Sequence, residues 1–206
     1  MNRGPAKNPD LHGNVPENSA VALLLIDVIN DMDFEGSEPL VRQAPAMGER
    51  IAALKKRAKA ARIPVVYIND NFGRWQSDFR RLIQHCLEDG VPGESLVRTL
   101  VPDEDDYFVL KPKHSAFFAT TLDTLLAYLG AKTLVLTGIA GNICILFSAN
   151  DAYMRDYHLI VPSDCVASNT AEDNHYALSQ IQQVLKGDIT PSTGVDLDAL
   201  VRAGMD

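Results

Sequence analysis

Short apolar runs recur along the chain, and none of them has the alternation that marks a strand with one exposed face. The runs cover residues 21–26, 64–68, 107–110, 133–136 and 158–161. Continuous apolar runs of this length are typical of strands that are buried on both faces of a parallel sheet. A shorter sixth strand is predicted near residues 188–190.

Helix-length stretches separate these runs. They predict helices over residues 45–61, 78–87, 121–129, 144–155 and 170–185, the last capped by Asn169 or Thr170. Residues 89–106, rich in Gly, Pro and acids, are expected to form a surface loop. The alternation of strands and helices predicts an α/β fold with three layers, α/β/α: a Rossmann-like, open, mostly parallel six-stranded sheet with helices on both faces. Residues 1–18 are expected to form an N-terminal arm, and residues 19–206 a single domain.

Composition narrows the classes of function. The net charge of −8 argues against a nucleic-acid partner, which would favour a basic patch. No stretch resembles a signal peptide or a membrane span, so we expect a cytoplasmic protein without a membrane partner. The 3 cysteines are widely spaced, which indicates free thiols in a reducing compartment. The 5 histidines lack the spacing of a histidine-rich metal site, and we expect neither a metal nor another cofactor.

Three chemically different side chains follow predicted strands. Asp27 ends the first apolar run, Lys111 follows the third and Cys144 follows the fourth. Because the carboxyl ends of parallel strands share one edge of a sheet, an acid, a base and a thiol are expected to converge there. Burying a carboxylate such as Asp27 is costly unless it is paired or used. Lys113 and His114 remain rivals of Lys111 on this argument.

The turn before Cys144 has its own chemistry. Gly138, Gly141 and Asn142 predict a tight turn, with Asn142 as the N-cap of the next helix. A thiolate near that helix start would be stabilised by the helix dipole, and free backbone N–H groups there could hold an oxyanion. These residues alone also allow the other interpretation, in which Cys144 is one more small buried apolar side chain.

Three segments, in order and at matching spacing, carry a resemblance to a known family. They are Ala-Leu-Leu-Leu-Ile-Asp-Val-Ile-Asn-Asp at residues 22–31, Leu-Lys-Pro-Lys-His-Ser-Ala-Phe at 110–117 and Gly-Ile-Ala-Gly-Asn-Ile-Cys at 138–144. The chain after its first residues resembles the isochorismatase-like cysteine hydrolase superfamily. That group includes nicotinamidases, N-carbamoylsarcosine and ureidoacrylate-type amidohydrolases, and isochorismatases.

The resemblance implies roles for individual residues. It implies a catalytic triad of Asp27, Lys111 and Cys144, and its Lys-x-x-x-Ser-Ala-Phe spacing selects Lys111 over Lys113. It also implies a cis peptide bond between Ile139 and Ala140, with an oxyanion hole formed by the N–H groups of Ala140 and Cys144. Family members commonly form dimers or tetramers, so a homo-oligomer is expected.

Two departures from the family pattern shape the expected reaction. Nicotinamidases hold a metal through histidines after the second strand, and residues 69–75 contain none. Isochorismatases proper lack the nucleophilic cysteine, which is present here. We therefore expect a metal-independent hydrolase that cleaves a C–N bond of a small non-peptide amide or ureido compound through a thioester. The alternatives are an isochorismatase-type vinyl-ether hydrolase and a non-catalytic binding protein.

The residues expected to contact a small-molecule substrate are Phe34, Asn71, Arg74, Trp75, Phe117 and Ile139.

Overall fold

The computed structural model describes residues 18–71 and 78–204, so the expected arm lies almost wholly outside the described residues. Six parallel strands form one sheet in the order β3-β2-β1-β4-β5, and β6 pairs with β4 beyond the end of β5. The strands are β1 (Val21–Ile26), β2 (Val65–Asp70), β3 (Tyr107–Lys111), β4 (Thr133–Ile139), β5 (His158–Ile160) and β6 (Val166–Ala167).

Helices cover both faces of this sheet, which confirms the predicted three-layer α/β/α fold. They are α1 (Glu38–Ala60), α2 (Phe79–Glu88), α3 (Glu94–Thr99), α4 (Leu122–Leu129), α5 (Leu146–Tyr153), α6 (Ala171–Gln183) and α7 (Leu197–Ala203). Thr170 is the N-cap of α6, where its side chain accepts a hydrogen bond from the N–H of Asp173. No helix among the described residues is long and apolar enough to cross a membrane.

The side chains of β1 enter two separate cores. Val21, Leu23 and Leu25 pack with α1, α2, α3 and α7, whereas the alternate residues pack with α4, α5 and α6. Every residue of β1 is buried, as expected for the central strand of a parallel sheet. This apolar strand therefore packs against both helical layers, and Asp27 follows directly after its last residue.

The first helix differs from its prediction at its beginning. Helix α1 begins at Glu38 rather than at residue 45, and Pro45 lies inside it. Pro39, near the first helical position, suits a helix start because its missing N–H has no intrahelical partner to lose. The buried face that includes Leu40, Ala44 and Met47 packs on the sheet, and this packing outweighs the unfavourable propensity of Pro45.

Other boundaries were also predicted wrongly. The expected loop at residues 89–106 contains α3, whose Leu96 and Val97 are buried. The sixth strand is β6, whereas Asp188 makes only an isolated bridge to Ile160. The helix expected from residue 144 begins instead as a π-helical turn, Gly141–Ile145, that leads into α5.

The register of strand pairing places the carboxyl ends of β1, β2, β3 and β4 close together at one edge of the sheet. Ile26 pairs with Ile68 of β2 and Gly138 of β4, and Asp70 pairs with Lys111. Gly138 has a φ of +119°, and a Cβ atom there would lie 2.0 Å from the carbonyl oxygen of Ile26. Glycine is therefore required at the point where β4 passes closest to β1, directly before the Cys144 turn.

Candidate active site

Lys111 lies at the centre of a buried polar cluster at this edge. Its side chain is 0% exposed, and its Nζ lies 2.9 Å from Asp27 Oδ2 and 3.4 Å from Asp70 Oδ2. The same atom lies 3.5 Å from Cys144 Sγ. An ammonium group has three protons to donate, so Lys111 can serve all three neighbours at once. The structure thus brings Asp27, Lys111 and Cys144 together, as the strand-end argument predicts.

Asp27 is held in one orientation by several donors. Its backbone φ is +53°, and its Oδ1 accepts a hydrogen bond of 2.9 Å from the N–H of Asp70. The Cys144 thiol is a further neighbour of this carboxylate. Burial raises the pKa of Asp27 above the ordinary aspartate value, although Lys111 and these donors act in the opposite direction. Asp27 is therefore a stronger base than a solvent-exposed aspartate.

The pKa of Lys111 is set by the same neighbours. Burial lowers the pKa of an ammonium group, but the negative charges of Asp27 and Asp70 oppose burial, and the pKa of Lys111 is raised. Lys111 is therefore a permanent cation at neutral pH, placed between an acid and a thiol.

The turn that carries Cys144 is fixed by its backbone. The Ile139–Ala140 peptide bond is cis, and the N–H groups of Ile143 and Ile145 both donate to the carbonyl of Ala140. Asn142 is not the N-cap that we predicted, because Ala140 precedes the turn and no side chain caps it. The N–H of Asn142 donates instead to Ser168 Oγ at 3.2 Å.

The acidity of Cys144 differs from the prediction. Burial, followed by the negative charge of Asp27, raises the pKa of Cys144 to about 12, although Lys111 acts in the opposite direction. The helix start and the lysine were expected to lower it, but desolvation of a largely buried thiol has the larger effect. The resting thiol is therefore protonated at neutral pH, and it needs a base to become a nucleophile.

The remaining cysteines are less accessible. Cys86 and Cys165 are 0% exposed, whereas Cys144 is 9% exposed. Burial raises the pKa of Cys86 to about 11 and that of Cys165 to about 12. Solvent access, and not a low pKa, therefore distinguishes Cys144 from the other two thiols, because Cys165 also has a neighbouring carboxylate, with Asp164 Oδ1 3.7 Å from its Sγ.

The residues that we expect to contact a substrate lie in different surroundings: one beside the buried cluster, one in the core and one at the exposed surface. Asn71 is 7% exposed, and its N–H donates to the carbonyl of Lys111 at 2.9 Å, which places it beside the cluster. Ile139 is 3% exposed and packs in the core layer that contains α1. Phe34 is 45% exposed and stays a prediction. Arg74 and Trp75 lie outside the described residues.

Phe117 is buried and packs against residues that follow α5. Its ring is 4% exposed, lies 4.8 Å below Arg155 Cζ and is 6.0 Å from the ring of Tyr157. Both partners follow the C-terminal end of α5, whereas Cys144 precedes its N-terminal end. Phe117 packs in the same apolar core layer as Cys144, and its contact with a substrate stays a prediction.

Asp70 belongs to the cluster, although the sequence argument did not select it. It ends β2, beside Lys111 of β3, and its side chain is 30% exposed. Its place at the end of an apolar strand is the sequence feature that could have identified it. Its immediate neighbours are both Asn, and an Asn-Asp-Asn sequence is also typical of an ordinary loop.

Among the described residues, a group of possible metal ligands lies elsewhere. Asp103, Asp105 and Asp106 lie within reach of one another at the opposite edge of the sheet. Lys55 Nζ lies 2.6 Å from Asp106 Oδ2, and Lys59 Nζ lies 2.7 Å from its Oδ1. Lysines therefore neutralise these acids in an ion-pair network that joins α1 to β3.

Comparison with known proteins identifies the family of the chain. The Isochorismatase domain matches residues 21–190, which include Asp27, Lys111 and Cys144. The chain belongs to the isochorismatase family. An uncharacterized isochorismatase family protein, YaaI of Bacillus subtilis, is 44% identical over 169 residues, or 82% of this chain and 92% of that protein.

Two further family members are amidohydrolases by name. Ureidoacrylate amidohydrolase RutB of Methylorubrum extorquens is 32% identical over 175 residues, or 70% of this chain and 68% of that protein. The crystal structure of N-carbamoylsarcosine amidase from Thermoplasma acidophilum has a TM-score of 0.67 and 25% identity, covering 85% of this chain and 98% of that one. The family thus includes hydrolases of C–N bonds.

Proposed function

We propose that this protein is a cysteine-dependent amidohydrolase that cleaves a C–N bond of a small non-peptide amide or ureido compound through a thioester. The observation that carries the proposal is the position of Lys111 Nζ, 2.9 Å from Asp27 Oδ2 and 3.5 Å from Cys144 Sγ. An acid and a protonated thiol that both contact one cation are the groups that such a reaction requires.

The first half of the reaction activates the thiol. Asp27 removes the proton of Cys144 Sγ, and Lys111 stabilises the thiolate. The raised pKa of Asp27 brings its basicity closer to that of the thiol, which favours this transfer. Sγ then attacks the carbonyl carbon, and the N–H groups of Ala140 and Cys144 stabilise the resulting oxyanion.

The second half releases the products. The tetrahedral intermediate collapses, the C–N bond breaks, and Asp27 donates its proton to the leaving nitrogen. Asp27 then removes a proton from water, and the resulting hydroxide attacks the thioester carbon. The C–S bond breaks, the acid product leaves, and the proton returns to the thiolate. Every proton movement thus passes through Asp27.

A screen for ammonia release from carbamoyl amino acids, ureido acids and simple amides tests the proposal. We expect turnover with at least one of them and a covalent acyl adduct on Cys144 after rapid acid quenching. Asp27→Asn should lower turnover by several orders of magnitude, since general acid and general base catalysis are each worth about 10²–10⁴-fold. Cys144→Ala should be inactive and serves as the blank for the adduct.

The choice of lysine has a matched control in the chain. Lys111→Ala should lose turnover, because the thiolate loses its cation. Lys113→Ala should keep it, because Lys113 is exposed. Amide turnover that survives Cys144→Ala would contradict the thioester mechanism. A vinyl-ether substrate that is cleaved equally well by Cys144→Ala would favour the isochorismatase-type reaction instead.

A further inference from the structure

Lys111 and Cys144 belong to strands that are not neighbours. In the order β3-β2-β1-β4, two strands separate the one that ends in Lys111 from the one that leads to Cys144. At about 4.8 Å per strand, the two strand axes are about 14 Å apart. The 3.5 Å contact between Nζ and Sγ is therefore not fixed by sheet pairing alone.

A buried hydroxyl links the two segments directly. Ser148 is 0% exposed and lies one turn after Cys144. Its Oγ donates to the carbonyl of Cys144 at 2.6 Å and accepts from the N–H of Ala116 at 2.9 Å. The roles are unambiguous, because a carbonyl only accepts and an N–H only donates. Ala116 belongs to the loop that follows Lys111.

A second link joins the same loop to the same helix. Ser115 Oγ donates to Asp151 Oδ2 and accepts from the N–H of Phe117 at 3.1 Å. Asp151 is held in turn by Arg155 Nη1, 2.9 Å from its Oδ1. The two links fix α5 against the loop at successive turns, and Ser148 is the one that contacts the backbone of Cys144 itself.

We infer that Ser148 is a positioning residue, which sets the distance from the Cys144 turn to the Lys111 loop; the inference rests on the proposed function of Cys144 as nucleophile. Without the hydroxyl, the buried N–H of Ala116 and carbonyl of Cys144 lose a shared partner. The turn can then move relative to Lys111 and Asp27. A displacement of about 1 Å between reacting groups can lower a rate by about 10²-fold.

Ser148→Ala, Ser148→Thr and a matched control, Thr137→Val, test the inference. Thr137 is also 0% exposed, and its Oγ1 donates to the carbonyl of Leu24 at 3.0 Å in the sheet. Thr137→Val thus removes one buried hydroxyl without touching the link. Three quantities are measured for each variant: the unfolding midpoint, the iodoacetamide rate constant of Cys144 against pH, and kcat and KM on the amide found above.

We expect Ser148→Ala and Thr137→Val to lower the unfolding midpoint by similar amounts. Only Ser148→Ala should lower kcat by about 10–100-fold with a nearly unchanged KM. It should also move the pH profile of Cys144 alkylation to lower pH, because the thiol moves away from Asp27, whose negative charge raises the pKa of Cys144 more than Lys111 lowers it. Ser148→Thr, which keeps the hydroxyl, should restore both quantities to within a few-fold.

Equal kinetic losses in Ser148→Ala and Thr137→Val, or an unchanged Cys144 alkylation profile in Ser148→Ala, would overturn the inference. If Ser148→Ala does not fold, Ser115→Ala breaks the parallel link and should show the same kinetic pattern. Failure of the proposed function can be told apart from failure of this inference. If only the proposed function is wrong, no amide is turned over, but the alkylation of Cys144 still changes in Ser148→Ala.

Discussion

Replacing Lys111 by methionine should show how much this buried cation contributes to the free energy of unfolding. Methionine has a similar length but no charge, so Asp27, 5% exposed, loses its cation. Removing one partner of a buried ion pair costs about 3–5 kcal/mol of unfolding free energy. In a chain of this size, 1 kcal/mol corresponds to about 2–4 °C, so the unfolding midpoint should fall by about 6–20 °C at neutral pH.

The size of this loss should depend on pH. Burial already raises the pKa of Asp27, and without the opposing effect of Lys111 it rises further. A carboxyl group whose pKa is higher in the folded chain binds more protons when folded. Its contribution to stability is then present below the unfolded pKa and is lost as pH rises through the folded pKa. The deficit of Lys111→Met should therefore be smallest near about pH 4 and grow by up to about 1.4 kcal/mol per pH unit.

Denaturant unfolding of the wild type and three variants at several pH values provides the assay. Asp27→Asn combined with Lys111→Met removes both charges and should be more stable than Lys111→Met alone. Lys113→Met should stay within about 0.5 kcal/mol of the wild type, because Lys113 is exposed. A deficit of Lys111→Met that is constant with pH, or that Asp27→Asn does not reduce, would refute the reasoning.

Other predictions concern the thiols, metal dependence and the backbone. Brief iodoacetamide treatment of the native protein should label Cys144 before Cys86 and Cys165, because it is the most exposed of the three; mass mapping that finds another order would contradict this. Amide turnover should survive exhaustive EDTA treatment, because residues 69–75 lack the histidines of nicotinamidases; activity that zinc, iron or manganese restores would show otherwise. Gly138→Ala should cost several kcal/mol, since its Cβ would lie 2.0 Å from the Ile26 carbonyl oxygen, and a melting curve like that of the wild type would refute this.

The central strands of the sheet were predictable because β1, β2 and β4 are buried on both faces and therefore consist mostly of apolar residues. Its limits were harder to predict. The apolar run at residues 133–136 ends before Thr137 and Gly138, yet β4 continues to Ile139, because Gly138 allows close pairing with β1. Strand β6 is two residues long, and two residues have no periodicity to detect. Pro45 suggested a helix start, but tertiary packing decided where α1 begins.

The position of the site was predictable, but the pKa values of its groups were not. The rule that functional groups follow parallel strands pointed to Asp27 and Cys144 and to the segment of Lys111, Lys113 and His114, and the family resemblance selected Lys111. The same rule applied to Asp70, whose surroundings resembled a loop. The pKa of Cys144 could not be predicted, because the opposing effects of burial and Lys111 depend on three-dimensional packing that the local sequence does not encode.

The place of β1 at the centre of the sheet has a consequence for synthesis of the chain. β1 is the first strand to be made, yet one of its two neighbours, β4, pairs Thr133 with Val21. At about 5–20 residues per second, an emerging chain waits about 5–20 s between these two segments. During that interval one edge of a wholly apolar strand has no native partner and is open to association with other chains. Slow translation or scarce chaperones should therefore reduce the yield of folded protein more than substitutions on its surface do.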